Sequence, residues 1–114
     1  MIQYDLIVVG AGPAGLSAAL AAYESGVERV IVLDRLPSPG GILSQCLHRG
    51  FGKNNLNGIE YTEQLMHSIV ESGFEIRLNS MVTELSVDGV ITVFGNGEIY
   101  RLRSKAVIDR KSVV

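Results

Sequence analysis

The first third of the chain alternates between short unbroken apolar runs and a segment with helical spacing. Leu6–Val9 is an uninterrupted apolar run, which is typical of a parallel strand buried on both faces. Apolar residues then recur every three or four positions, which predicts a helix that opens near Pro13 and ends at Gly26. They are Leu16, Ala19, Leu20 and Tyr23. Val30–Leu33 repeats the first pattern, so residues 1 to 35 predict a strand–turn–helix–strand unit.

The middle of the chain predicts a long loop, a second helix and a third strand. Pro and Gly are frequent between Leu36 and Gly58, and a loop of this length is more often functional than a mere connection. Helical spacing of apolar residues follows and ends at Gly73. The residues with this spacing are Tyr61, Leu65, Met66, Ile69 and Val70. Phe74–Leu78 then predicts a third strand.

After Leu78 the hydrophobic period changes from helical to alternating. Asp88-Gly89 and Gly95–Gly97 are turn sequences, which predicts three antiparallel strands in a meander. The three strands are Met81–Val87, Val90–Phe94 and Glu98–Arg103. Lys105–Ile108 predicts a fourth parallel strand. The predicted fold is α/β and Rossmann-like, an incomplete domain with a parallel sheet of order 3-2-1-4 and the meander as its last crossover.

Composition limits the classes of function. The chain has 114 residues, 46% of them hydrophobic and 19% charged, which suits one globular domain. A net charge of −2 does not favour a nucleic-acid partner. Cys46 is the single cysteine, so an intrachain disulfide and a cysteine metal site are excluded, and we expect a reduced, cytoplasmic setting. Glycines interrupt the apolar start, which argues against a signal peptide or a membrane span.

The turn between the first strand and the first helix has the pattern G-x-G-x-x-G. Gly10 allows a tight turn, Gly12 allows backbone to approach a pyrophosphate, and Gly15 allows the helix to pack against the strand. Pro13 suits the first helical position, where an N–H is not needed. The free N–H groups and the helix dipole favour an anion there. We expect a dinucleotide phosphate site formed by Gly10, Gly12, Pro13, Ala14 and Gly15.

Asp34 ends the second strand, 19 residues after Gly15. A carboxylate at this position can accept hydrogen bonds from the ribose hydroxyls of an adenine dinucleotide and would repel a 2′-phosphate. Arg35 weakens that repulsion slightly. These residues alone leave NAD and FAD as alternative cofactors. The Gly40-Gly41 doublet could bring backbone alongside a long cofactor.

Three segments together resemble one superfamily of flavoproteins. Tyr4–Gly15, Asp34-Arg35 and Gly40-Gly41 are similar to the N-terminus of flavoproteins with two dinucleotide-binding domains, which include the thioredoxin reductases. Gly40–Gly52 resembles the loop of FAD-dependent oxidoreductases related to the large subunit of anaerobic glycerol-3-phosphate dehydrogenase. Gly58–Tyr61 resembles the start of the next helix in that group.

The resemblance implies particular roles. It implies FAD as cofactor, with Asp34 at the ribose, Arg35 beside the adenosine and the backbone of Val82 at the adenine. Gly41 and Ile42 then line the path toward the ribityl chain and the flavin, and Gly40 belongs to the doublet that brings backbone alongside the cofactor. It also implies an FAD-dependent oxidoreductase that uses NAD(P)H as second nucleotide, with a partner subunit or a second copy possible in the full-length enzyme. We predict no catalytic residue and no metal ligand in this segment.

Two alternatives to the flavoenzyme are considered. An NAD-binding Rossmann domain of a dehydrogenase is disfavoured, because the meander belongs to the flavoprotein pattern. A non-catalytic nucleotide-binding module stays open, since fold does not determine function.

The last six residues suggest a sequence artefact. Read as codons, GAT CGG AAG AGC GTC GTG gives residues 109–114, and this string followed by the stop codon TAG is part of a common sequencing adapter. We therefore expect residues 1–108 to be the N-terminal part of the domain and residues 109–114 to be a non-native tail. We expect this fragment to be marginally stable, to hold FAD weakly and to lack turnover.

Overall fold

The computed structural model describes residues 1–37, 49–51 and 56–109. Eight strands and two helices lie in these ranges. In chain order they are β1 Ile2–Val9, α1 Pro13–Glu24, β2 Val30–Leu33, β3 Arg49–Phe51, β4 Leu56–Asn57, α2 Gly58–Ser72, β5 Glu75–Arg77, β6 Ser80–Leu85, β7 Val90–Gly95 and β8 Glu98–Asp109.

Six strands form one mixed sheet with the order β5-β2-β1-β8-β7-β6. The first four of these are parallel, so the predicted order 3-2-1-4 is confirmed. β1 is central, and both Ile7 and Val8 are fully buried, as expected for an apolar run covered on both faces. β3 and β4 form a separate two-stranded ribbon within the segment predicted as loop.

The last two predicted strands are one continuous strand, β8, which serves both parts of the sheet. Leu102 and Arg103 pair with β1 on one side and with β7 on the other. Ser104, between the two predicted strands, does not break the ladder, because it pairs with Tyr4 of β1. β1 is also longer than predicted, since its first residues, Ile2–Tyr4, pair with this strand.

Helices cover one face of the parallel strands. Leu16 and Ala19 of α1 and Ile69 of α2 pack against Leu6, Val8, Val30 and Val32. Val70, expected on the apolar side of α2, is instead 73% exposed, because the helix buries the Leu65–Met66–Ile69 side.

The meander covers the other face. Ile7, Val9, Ile31 and Leu33 of the parallel strands share one core cluster with residues of β7 and β8. Those residues are Ile91, Val93 and Leu102. The sheet therefore curls until the meander lies over its own parallel part, which gives three layers.

Polar side chains join the edge strand β5 to the meander and to β1. Arg77 Nη1 donates to Tyr100 OH at 3.0 Å, and Tyr4 OH donates to Glu75 Oε1 at 2.9 Å. Burial raises the pKa of the Tyr4 phenol, and the Glu75 carboxylate adds to the rise. Tyr4 therefore stays protonated at neutral pH and remains a donor to Glu75.

The predicted turn between β7 and β8 is a two-residue hairpin turn. Asn96 has φ 54° and Gly97 has φ 79°, and Gly95 pairs with Glu98 across them. Positive φ at both central positions matches the right-handed twist of the strands, which is why Asn-Gly is favoured there.

Shortening a side chain of the inner meander face is expected to destabilise the domain. Ile91 is fully buried, so Ile91→Val should lower the free energy of unfolding by about 1 kcal/mol. The matched control is Ile99→Val on the outer face, where the side chain is 71% exposed and the change should be close to zero. Denaturant unfolding followed by circular dichroism measures both, and equal effects would contradict the three-layer packing.

Candidate functional site

The glycine-rich turn connects β1 to α1 at the carboxyl edge of the sheet. Gly10 has φ 112°, a conformation that residues with a Cβ rarely adopt, and its N–H donates to Leu33 O at 2.7 Å. The chain can therefore turn away from β1 while it stays attached to the end of β2.

Gly15 sets how closely α1 approaches the turn. A Cβ added to Gly15 would lie 2.0 Å from Gly10 O and 3.3 Å from Val8 Cγ1. No residue with a Cβ fits at this distance, so the predicted helix-packing role of Gly15 agrees with the geometry.

The N-terminus of α1 is open. Gly12 is its N-cap residue, no side chain caps the helix, and its first turn carries no acidic residue. Pro13 is at the helix start as predicted, and Ala14 is exposed. The first N–H groups of a helix have no intrahelical partner and lie at the positive end of its dipole.

The space beside Gly12 suits a phosphate. A Cβ added there would have nothing within 4 Å. Open space, free donors and positive potential coincide at this helix end, so these residues fit a pyrophosphate.

Asp34 lies next to the turn and is only 5% exposed. Its Oδ2 accepts a hydrogen bond from Ala11 N at 2.6 Å, and its Oδ1 accepts one from Leu36 N at 2.9 Å. Each carboxylate oxygen can accept a further hydrogen bond. The predicted contact with ribose is thus chemically feasible, and the carboxylate also holds the glycine-rich turn in place.

The bond from Ala11 to Asp34 is a feature that the sequence does not predict. It joins residues 23 positions apart, and nothing in the G-x-G-x-x-G pattern indicates it.

The structure brings some predicted residues together and leaves others apart. Arg35 is exposed directly after Asp34. Val82 lies on β6 and packs, half-buried, against the core cluster beneath the meander. Gly40, Gly41 and Ile42 lie outside the described residues, as does Cys46.

Two negative findings concern the part of the chain that is described. Among those residues, no three His, Cys, Asp or Glu side chains are grouped closely enough to hold a metal ion. Neither of the two described helices is long and apolar enough to cross a membrane.

The geometry defines a class of protein. A parallel strand, a glycine turn that leads into an uncapped helix, and a buried carboxylate at the end of the adjacent strand are elements of a Rossmann-like nucleotide-binding fold.

Comparison with known proteins identifies the family. Residues 5–75 match the family model described as FAD dependent oxidoreductase, which is 71 residues of 114. The chain belongs to the FAD dependent oxidoreductase family, and FAD is the cofactor of that family. The prediction of FAD rather than NAD is confirmed.

Individual relatives match over different lengths. An opine oxidase subunit from Agrobacterium tumefaciens (strain Ach5) is 63% identical over 38 residues, which are 33% of this chain and 7% of that protein. Ferredoxin–NADP reductase of Flavobacterium johnsoniae is 34% identical over 107 residues, 84% of this chain and 29% of that protein. The chain therefore spans less than a third of either relative.

A solved structure supports the fold. Thioredoxin reductase from Streptococcus pyogenes superposes with a TM-score of 0.75 at 24% identity, over 94% of this chain and 34% of that one. The predicted resemblance to two-domain flavoproteins is confirmed at the level of fold and family. The narrower resemblance to the glycerol-3-phosphate dehydrogenase large subunit stays a prediction.

Proposed function

We propose that the glycine-rich turn and Asp34 bind the ADP half of FAD. The observation that carries the proposal is the open, uncapped N-terminus of α1 beside a buried carboxylate. The N–H groups of Ala14 and Gly15 would donate to the pyrophosphate across the space at Gly12. Asp34 would accept from the ribose hydroxyls with the lone pairs that Ala11 and Leu36 leave free.

The remaining cofactor contacts are proposed from the family resemblance. Arg35 would lie beside the adenosine, and Val82 would contact the adenine. Gly40, Gly41 and Ile42 would follow the cofactor toward its flavin end.

The role of this segment in the whole protein is to anchor the cofactor. FAD, when bound, supplies the redox chemistry of the oxidoreductase. The proposed contacts of Gly12 and Asp34 hold the end of FAD that does not react. We propose a cytoplasmic FAD-dependent oxidoreductase that uses NAD(P)H as second nucleotide, supported by the similarity to ferredoxin–NADP reductase.

A second candidate function rests on the relative with the higher identity. The 63% identity to the opine oxidase subunit favours oxidation of an opine rather than exchange of electrons with NAD(P)H. The two candidates use the same ADP site and differ in what reduces the flavin.

The site is tested by calorimetric titration of the chain with ADP and with 2′-phospho-ADP. We expect ADP to bind more tightly, because the Asp34 carboxylate repels a 2′-phosphate. Binding of both with equal affinity would contradict the role of Asp34, and binding of neither would contradict the site.

The two oxidoreductase functions are tested on the protein encoded by the complete reading frame. Its flavin absorbance is followed without oxygen after addition of NADH, NADPH or an opine. Bleaching by a reduced nicotinamide supports the first candidate, and bleaching by the opine alone supports the second. A protein without flavin absorbance would contradict both.

A further inference from the structure

The order of strands at the carboxyl edge predicts where the base of the nucleotide lies. This inference rests on the proposed function, which places the pyrophosphate at the end of β1 and the ribose at Asp34, after β2. The next strand outward is β5, which pairs with β2 from Ile31 to Leu33. A nucleotide whose pyrophosphate lies at the end of β1 and whose ribose lies after β2 brings its base to the residues that come directly after β5.

Those residues are fastened to the ribose site by backbone hydrogen bonds. Asp34 N donates to Arg77 O at 3.1 Å, and Ser80 N donates to Asp34 O at 2.8 Å. Asn79 N donates to Leu36 O at 3.0 Å. The segment from Leu78 to Ser80 therefore has a fixed position relative to the carboxylate.

Asn79 is the residue of this segment whose polar side chain is open to a ligand. It has φ 52° and is exposed, and within the described ranges its carboxamide has no hydrogen-bond partner. The neighbouring Ser80 is 2% exposed, and its hydroxyl donates to Leu78 O.

We propose that the Asn79 carboxamide binds the adenine through its 6-amino group and an adjacent ring nitrogen. The amide oxygen accepts from the amino group while the amide nitrogen donates to the ring, the pairing that makes asparagine selective for adenine. The Arg35 side chain offers donors alone and the Val82 side chain offers neither group, so neither side chain can read this edge. Asn79 is therefore the side chain that would recognise the 6-amino group, beside the Val82 backbone that the family resemblance places at the adenine.

The experiment compares ADP with purine riboside 5′-diphosphate, which is ADP without the 6-amino group. We expect the unmodified chain to bind ADP about fivefold more tightly, the effect of one hydrogen bond. Asn79→Gly should bind the two ligands equally, since glycine keeps the positive φ and removes the carboxamide. Calorimetric titration or competition measures the ratio of the two affinities.

Asn96→Gly is the matched control, because Asn96 also has a positive φ, 54°, in the neighbouring turn between β7 and β8, whose Gly95 pairs with Ser80. It should keep the fivefold preference. A preference that persists in Asn79→Gly, or is absent from the unmodified chain while ADP still binds, overturns the role of Asn79 alone. Failure of the unmodified chain to bind ADP overturns the proposed function as well.

Discussion

Gly15→Ala is expected to leave the chain largely unfolded. The new Cβ would lie 2.0 Å from Gly10 O, and this contact is to backbone, which cannot rotate away. Helix α1 would have to withdraw from β1, which would expose Leu16 and Ala19 and their partners in the core. We expect a loss of more than about 3 kcal/mol in the free energy of unfolding, measured by denaturant titration.

Gly12→Ala is the matched control within the same turn. Its Cβ meets nothing within 4 Å, and φ is −75°, so the cost should be about 0.5 kcal/mol, that of alanine at an N-cap. The same methyl group would occupy the space proposed for the pyrophosphate, so ADP affinity should fall at least about tenfold, the effect of a close steric conflict on binding. Equal stability of the two variants would show that α1 does not pack closely against Gly10.

Asp34→Asn is expected to weaken both the fold and the nucleotide site. The carboxylate accepts hydrogen bonds from two backbone N–H groups, at Ala11 and Leu36. A carboxamide of the same shape has one oxygen, so one of these N–H groups would meet an NH₂ group instead. A buried donor left unsatisfied costs roughly 2 kcal/mol, and the lost charge weakens the bond that remains.

The control for Asp34→Asn is Asp5→Asn. Asp5 Oδ2 also accepts a backbone hydrogen bond, from Arg29 N at 3.1 Å, but this bond is exposed to water. We expect its thermal unfolding temperature to change much less than that of Asp34→Asn. ADP titration of both variants then shows whether the loss of binding follows Asp34 specifically. An Asp34→Asn variant with the original stability would mean that the carboxylate does not hold the turn.

The features that the sequence predicted correctly depend on local conformation. Gly26, Gly73 and Gly97 all have positive φ at the ends or turns where glycine was expected. The parallel order was predictable because apolar runs separated by helices leave few right-handed topologies. The glycine-rich turn between β1 and α1 was predictable because its glycines are close in sequence.

The features that were missed depend on contacts between distant residues. Two separate strands were predicted here, Glu98–Arg103 and Lys105–Ile108. The reason is that the hydrophobic pattern changes at Ser104, from alternating to continuously apolar. One strand satisfies both patterns because its first part pairs with β7 and its last part with β1. Val70 has the spacing of a core residue, but the direction in which α2 packs leaves it in solvent.

The sequence by itself determined the turn from Gly10 to Gly15 and the acid after the second strand, because backbone sterics and hydrophobic period act over a few residues. The tertiary structure decided what these elements become together. Only the folded chain brings Ala11 N to 2.6 Å from Asp34 Oδ2, and only the curled sheet places the meander over Ile7 and Leu33. Such contacts depend on how whole strands and helices are positioned, and no local pattern carries that information.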